Sequence, residues 1–427
     1  MYLVASDAKN AGPLPAEKAD REAFGWKMLS VELEGWAPLG PRKVTLDLAD
    51  RRTVLIGRNG AGKSALIEGI LLGLDDSESG PRTGPHRFKA LFQDHTGRRI
   101  FYEHSWAPAV SRGASGPQMP LKGQEAGQEW AERCWYDGQE DQPIWQLKDG
   151  QARIGAKEIE VSKNGSVPAS AFDGIDPSAM ENSDQLQPYL FYLYCLYAKR
   201  VYAGIPHAVE PKDGPLARTD KVFFYKDKKK TDTAEQTPVE WEILGKNPAR
   251  FTGIFSEIFE WKRTDSPTFA EFIALGQKIG AFQEFEIPIL GPRDGPSFAS
   301  IDVDGVNVGA APDGTLRLME ILHAMLRIQG RSILLLEEPE TGIHPGALIK
   351  LLSVLEAYAE DRQFVISSHS PVVFGQVKPE ELRIVYRQDG QTHVRKLDVS
   401  ELDRATAFLS QEGTLDEFLL SGAIDES

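Results

Sequence analysis

The sequence predicts an α/β fold, a mixed and largely parallel sheet with helices on both faces, interrupted by a large α+β insertion. Three observations predict it. A glycine-rich phosphate loop, Gly57-Arg58-Asn59-Gly60-Ala61-Gly62-Lys63-Ser64, stands between a short apolar run and a helical one. From about Phe285 apolar strands alternate with helices, the pattern of a parallel sheet covered on both sides. Between these halves lie roughly two hundred residues of weaker patterning, and a chain of 427 residues is long enough for two lobes.

The elements follow in order. Residues 1–22 are polar and read as a loose extension. Met28–Leu33 and Val44–Leu48 alternate as strands on either side of the Gly/Pro-rich stretch Gly35–Pro41. Thr53–Ile56 is a buried strand entering the phosphate loop, and Ala65–Leu72 is the helix leaving it. Residues 23–80 are therefore the first half of a nucleotide-binding head. Residues 81–285 are the insertion. Arg87–Phe92 and Arg99–Ser105 make a hairpin across Asp94–Gly97, residues 107–185 are weakly periodic, and Phe269–Gly280 is helical. Residues 286–427 complete the head. Leu316–Ile328 and Ala347–Ala359 are helices, and Ser332–Leu336, Gln363–Ser367 and Leu382–Tyr386 are strands.

Composition narrows the class. The formal charge of −15 disfavours a broad nucleic-acid surface, though a local patch is enough for binding. The most basic segment, Lys221–Lys230, reads first as a solvated hairpin end and second as a DNA contact. Two distant cysteines, Cys134 and Cys195, suit a reducing compartment and a cytoplasmic protein. The most apolar run, Tyr189–Ala198, is too short to span a bilayer, and the N-terminus lacks the pattern of a signal peptide. It reads as a buried helix, with an aromatic partner face as the alternative.

The phosphate loop fixes the ligand class as a nucleoside triphosphate. Glycines let backbone N–H groups turn inward around phosphate, Lys63 adds a point charge, and the Ser64 hydroxyl can ligate Mg²⁺. The apolar strand Ser332–Leu336 runs into Glu337-Glu338-Pro339-Glu340, so two carboxylates stand at a strand's C-terminal end, where open α/β sheets bind ligands. Glu337 is placed for Mg²⁺ and Glu338 to deprotonate water. His369, just past the next strand, is placed as a γ-phosphate sensor. Gly314 lies in a turn that opens a helix, and a helix N-terminus attracts phosphate. His104, His207 and His323 are isolated in the sequence.

Taken together, GRNGAGKS, the DGTLR helix start, LLLEEPETGIHP and VISSHSP resemble the ABC-type ATPase head. The match is to the branch with RecF, the SMC proteins and the OLD-type nucleases. Within it the chain is most similar to stand-alone ATPases of bacterial anti-phage and toxin–antitoxin-like systems, such as the ATPase subunits of PARIS and Septu. The resemblance covers residues 26–75 and 300–375.

The resemblance implies ATP and Mg²⁺ as ligands, with Gly57, Arg58, Asn59, Gly60, Ala61, Gly62, Lys63, Ser64 and Ala65 on the nucleotide. Ser64 and Glu337 would hold the metal, Glu338 would be the general base, and His369 would touch the γ-phosphate. Gly314, with Arg317, would reach the ATP of a second protomer, and Gly342–Pro345 would cross that interface. The implied assembly is a homodimer, or a larger even one, with ATP sandwiched between protomers. Three positions depart from the pattern: Glu337 stands where most relatives carry Asp, Pro312 stands where the signature has Ser, and the Q-loop glutamine has only Gln93 as a candidate.

The sequence shows no second catalytic cluster, and the 58 residues after His369 are too few for a TOPRIM nuclease domain. The leading expectation is an ATP-hydrolysing sensor or scaffold that holds and releases a separate effector protein, a nuclease or toxin, in anti-phage defence. Two alternatives stand beside it: a RecF/SMC-like ATPase clamping duplex DNA, and an assembly protein that binds ATP with negligible turnover. No membrane role is expected.

Overall fold

The computed structural model describes residues 26–74, 87–94, 96–107, 129–148, 151–154, 157–159, 199–201, 224–227, 241–244, 249–290, 298–327, 333–360 and 362–410. The extension 1–22, His207 and the apolar run 189–198 lie outside them. Of the basic segment, only residues 224–227 are described.

The chain begins with β1 (Lys27–Glu34), β2 (Val44–Asp47) and β3 (Arg52–Ile56), then helix α1 (Lys63–Leu74). Next come β4 (Arg87–Gln93), β5 (Arg99–Ala107), β6 (Glu129–Tyr136), β7 (Trp145–Lys148), β8 (Gln151–Ile154), β9 (Lys157–Ile159) and β10 (Lys199–Val201). They are followed by β11 (Phe224–Asp227), β12 (Trp241–Leu244), α2 (Ala249–Thr264) and α3 (Ser266–Ile279). The short strands β13 (Phe285–Glu286), β14 (Ile289–Leu290), β15 (Phe298–Ala299), β16 (Asp302–Val303) and β17 (Val306–Asn307) lead to α4 (Asp313–Arg327). The rest is β18 (Ile333–Glu337), α5 (Pro345–Tyr358), β19 (Gln363–Ser367), α6 (Pro371–Phe374), β20 (Leu382–Gln388), β21 (Gln391–Arg395) and α7 (Val399–Ser410). These form two compact units. One holds residues up to Arg200 with Ile328–Glu337 and Tyr358–Ser427; the other holds Val201–Arg327 and Glu338–Ala357.

The first unit contains a six-stranded sheet in the order β10-β18-β19-β3-β20-β21. The pairs β18–β19, β19–β3 and β3–β20 are parallel, and β21 returns antiparallel beside β20. Every residue of β3, β18 and β19 is buried, as strands covered on both faces must be. On one face Leu55, Leu335 and Val365 share a core with Leu66, Ile67 and Ile70 of α1. This is the P-loop α/β arrangement that the sequence predicts.

The second sheet of this unit is antiparallel, in the order β2-β1-β4-β5-β6-β7-β8-β9. The strands β4 to β9 thus continue the sheet begun by β1 and β2, where the sequence had placed them in a separate insertion. The strands β6 to β8 fall in a stretch that reads as weakly periodic, and a charged residue, Glu132, occupies an inward position there. Glu132 is buried and accepts a hydrogen bond from Trp145 Nε1 at 3.1 Å, so the apolar alternation is broken where the core demands it. His104 is also a core residue: its Nε2 lies 3.0 Å from Gly73 O at the end of α1, and its ring stacks on Phe88. Asp94 closes the β4–β5 hairpin. Burial raises its carboxyl, but hydrogen bonds from Thr96 and Arg98 prevail and hold it below the usual aspartate range.

The two sheets are tied at one end by Gln363. Its Oε1 accepts from Met28 N at 3.0 Å, and its Nε2 donates to Met28 O at 2.8 Å and Ala49 O at 3.0 Å. Nearby, Arg52 Nε and Nη2 grip buried Glu381 at 3.2 and 3.0 Å.

In the second unit, α2, α3 and α4 pack around Phe255, Ile258, Phe272, Phe282 and Ile279. Helix α3 starts at Asp265, whose side chain accepts from Thr268 N, and stops at Gly280 in the left-handed region (φ 81°). His323 on α4 stacks on Trp261 and sits 3.0 Å from Glu257, which also pairs with Arg327. That histidine is a packing residue. Two small antiparallel sheets, β12-β11-β15-β14 and β13-β16-β17, complete the unit.

Candidate nucleotide-binding site

The phosphate loop is built by three glycines at positive φ: Gly57 at 148°, Gly60 at 80° and Gly62 at 111°. Side chains rarely adopt these angles, so glycine is required for the turn that aims successive N–H groups inward. The loop is seated against the hairpin β20–β21. A Cβ on Gly57 would lie 1.9 Å from Val385 O, and one on Gly62 would lie 2.5 Å from Thr392 Oγ1. Thr392 holds the loop by donating to Ala61 O at 2.9 Å.

Lys63, at the first position of α1, is 5% exposed, and its ammonium donates to Gly57 O at 2.8 Å and Arg58 O at 3.1 Å. It therefore already stands within the loop that would receive phosphate. Arg58, Asn59, Gly60 and Ser64 are exposed around it, while Ala61 is buried and Ala65 half-buried.

Two neighbouring strands end beside this loop. Glu337, 7% exposed, closes β18 and is paired with Ser367, which closes β19 and is paired with Leu55 of β3. The two-residue alternation puts Glu337 and Ser367 on the face that carries Leu335, Val365 and α1. His369 follows, exposed, in a loop fixed by Ser370 N donating to Ser368 Oγ at 2.9 Å. The first unit thus gathers Gly57–Ala65, Glu337 and His369 at the C-terminal ends of adjacent strands, where open α/β sheets bind ligands.

These residues fit a nucleoside triphosphate with Mg²⁺. The glycine-built cradle and Lys63 suit phosphates, and Ser64 and Glu337 offer the oxygen ligands that Mg²⁺ takes alongside phosphate and water. Among the described residues no three His, Cys, Asp or Glu side chains gather as a metal cage.

Glu338 follows Glu337 in the chain, is half-buried, and has φ 42°. A non-glycine residue in the left-handed region costs about 1–3 kcal/mol, and such strain concentrates at functional positions. No sequence pattern signals that angle. In the second unit, Gly314 lies in the first turn of α4. A Cβ there would lie 2.4 Å from Gly342 O, so the helix start is closely packed on the loop Gly342–Pro345 of its own chain. Pro312 is the N-cap, its carbonyl accepting from Leu316 N at 3.1 Å without a capping hydroxyl.

Two sequence-predicted site residues are corrected. Gln93 is opposite Lys27 and Arg99, at the end of β1 tied to the N-terminal end of β19 through Gln363. The phosphate loop follows the C-terminal end of β3, and Thr392, which holds it, bonds Leu39 beyond the other end of β1. Eight strand residues, roughly 25 Å, separate Gln93 from that end, so it is not a ligand of a metal at Ser64. Arg317 is 1% exposed and pairs with Glu320 one turn along α4 at 3.1 Å. A guanidinium so enclosed is not presented to a second protomer.

Two family models match parts of the chain. Residues 275–375 match one described as "AAA domain, putative AbiEii toxin, Type IV TA system", and residues 30–104 match one described as "AAA domain". No curated protein matches the chain at a significant level. Among solved structures, the chain is similar to an SMC head bound to the C-winged helix domain of ScpA, with 13% identity over 88% of this chain and 99% of that one, TM-score 0.43. It is similar to the Smc head with an extended coiled coil bound to the C-terminal domain of ScpA from Pyrococcus furiosus, with 11% identity over 91% and 99%, TM-score 0.42. It is also similar to the SMC head domain from Thermotoga maritima, with 13% identity over 87% and 100%, TM-score 0.38. Among the described residues no helix is long and apolar enough to cross a membrane. The phosphate loop falls in one matched stretch, and Gly314, Glu337, Glu338 and His369 fall in the other.

Proposed function

We propose that the chain is a Mg²⁺-dependent ATPase that dimerises around ATP and, as a switch, holds and releases a separate effector protein in bacterial anti-phage defence. The observation that carries the ATPase reading is the left-handed glycine cradle with Lys63 at its mouth and Glu337 at the end of β18, next but one to β3. The backbone N–H groups of Gly57–Ser64 hold and orient the triphosphate. Ser64 and Glu337 would hold Mg²⁺, which when bound would supply neutralisation of charge on the triphosphate. Glu338 takes a proton from the attacking water, and His369 donates a hydrogen bond to the γ-phosphate. Hydrolysis here needs no covalent step on the protein; positioning and charge do the work.

The dimer reading rests on the signature and D-loop resemblance around Gly314 and Gly342. The defence context is supported by the family match over residues 275–375, whose description names a type IV toxin–antitoxin system. Glu338→Gln, purified with ATP and Mg²⁺ from its host, tests both parts by native mass. A dimer or larger even assembly carrying a second protein is expected, and Lys63→Ala should remain monomeric. A bare dimer that takes up duplex DNA in a salt-sensitive manner would replace the effector reading with the DNA-clamping one. A monomer with ATP bound would end the dimer reading.

A further inference from the structure

Ser367 is the last residue of β19, and its neighbours are fixed by register: Glu337 on one side and Leu55 on the other. Residues in register on parallel strands share a face, so the Ser367 hydroxyl and the Glu337 side chain leave the sheet together, toward α1. Adjacent strands are about 4.8 Å apart, which puts the hydroxyl within a rotamer change of that carboxylate.

Ser367 is 1% exposed, and its Oγ has no hydrogen-bond partner among the described residues. A hydroxyl buried in this state is costly, because its bonds to water are lost and nothing replaces them. The next serine differs. Ser368 is equally buried, but its Oγ accepts from Ser370 N and sets the turn into α6. One serine is explained by the fold of the loop and the other is not. The unexplained one stands beside the carboxylate that departs from the usual aspartate. Glutamate has one more rotatable bond, so holding its carboxylate toward Ser64 takes an added constraint.

We propose that Ser367 is a positioning residue for Glu337: with Mg²⁺ and nucleotide bound, its hydroxyl donates to the Glu337 carboxylate and fixes it toward the cation. The inference rests on the reading of Glu337 as the metal carboxylate. It gives a partner to a buried donor that has none among the described residues.

The test uses the full chain, Mn²⁺ as the metal probe, and a non-hydrolysable ATP analogue. Electron paramagnetic resonance measures Mn²⁺ affinity in the presence of the analogue, and calorimetry measures analogue affinity in EDTA. Ser367→Ala should weaken Mn²⁺ binding about 10–150-fold, the worth of one hydrogen bond to a charged group. It should leave metal-free analogue affinity unchanged. Without nucleotide it should melt no lower than the parent, because the substitution removes an unsatisfied group. In a Glu337→Ala background it should have no further effect on Mn²⁺. Parental Mn²⁺ affinity in Ser367→Ala would overturn the inference, as would an equal loss of metal-free analogue affinity. If instead Glu337→Ala binds Mn²⁺ as tightly as the parent, the metal reading itself fails, and that result is distinct.

Discussion

The seating of the phosphate loop on β20 predicts that two chemically identical substitutions will behave differently. Gly57→Ala puts a Cβ 1.9 Å from Val385 O, a backbone atom that cannot swing aside, at a φ of 148° open essentially to glycine. The angle costs about 1–3 kcal/mol and the overlap about 1–3 kcal/mol more, so roughly 2–6 kcal/mol in total. Gly60→Ala, at φ 80°, has nothing within 4 Å of the new Cβ and incurs only the left-handed term, about 1–2 kcal/mol. The chain can relieve Gly57→Ala only by lifting the loop from the hairpin that Thr392 pins. The assay pairs urea denaturation with the affinity for a fluorescent ATP analogue. Gly57→Ala should lower the denaturation midpoint clearly more than Gly60→Ala, and should lose at least tenfold more nucleotide affinity, a difference of about 1.4 kcal/mol. Equal midpoints and equal affinities would refute the reasoning that the loop is clamped rather than merely bent.

Two further predictions follow from particular contacts. Gly314→Ala drives a Cβ to 2.4 Å from Gly342 O, and should destabilise the chain by about 1–3 kcal/mol, read as a lowered denaturation midpoint; a neutral effect would remove the packing role assigned to that glycine. Glu401 is held below the usual glutamate range, chiefly by its hydrogen bonds from Arg395, against burial. A depressed pKa means the unfolded chain binds the extra proton first, so this stability is present above the unfolded glutamate value and is lost as pH falls through the lower folded one. Glu401→Gln should therefore narrow the stability gap to the parent as the pH of the urea melts drops through that range, whereas a gap constant with pH would contradict it.

How much was legible depended on whether one residue type was forced at each step. The phosphate loop, β3, β18 and β19 were read correctly within a residue or two, because uninterrupted apolar runs and obligatory glycines leave little choice. The strands β6 to β8 were missed as a sheet because Glu132 sits inside the core beneath Trp145, a tertiary solution invisible to periodicity. The histidines at 104 and 323 looked isolated in sequence and proved to be packed against Phe88 and Trp261. Gln93 was a candidate only as the glutamine of the first hairpin, by resemblance to a Q-loop, and only strand register shows which end of the sheet it occupies. Glu338's left-handed angle and Ser367's unsatisfied hydroxyl belong to the folded chain and have no sequence signature.

The central claim, that this site hydrolyses ATP with Glu338 as base, is tested most directly by single-turnover hydrolysis of Glu338→Gln alongside its ATP affinity. The account predicts ATP affinity within a few-fold of the parent and a hydrolysis rate lower by about 10²–10⁴-fold, the range lost with a general base. Hydrolysis by Glu338→Gln at the parental rate would contradict it.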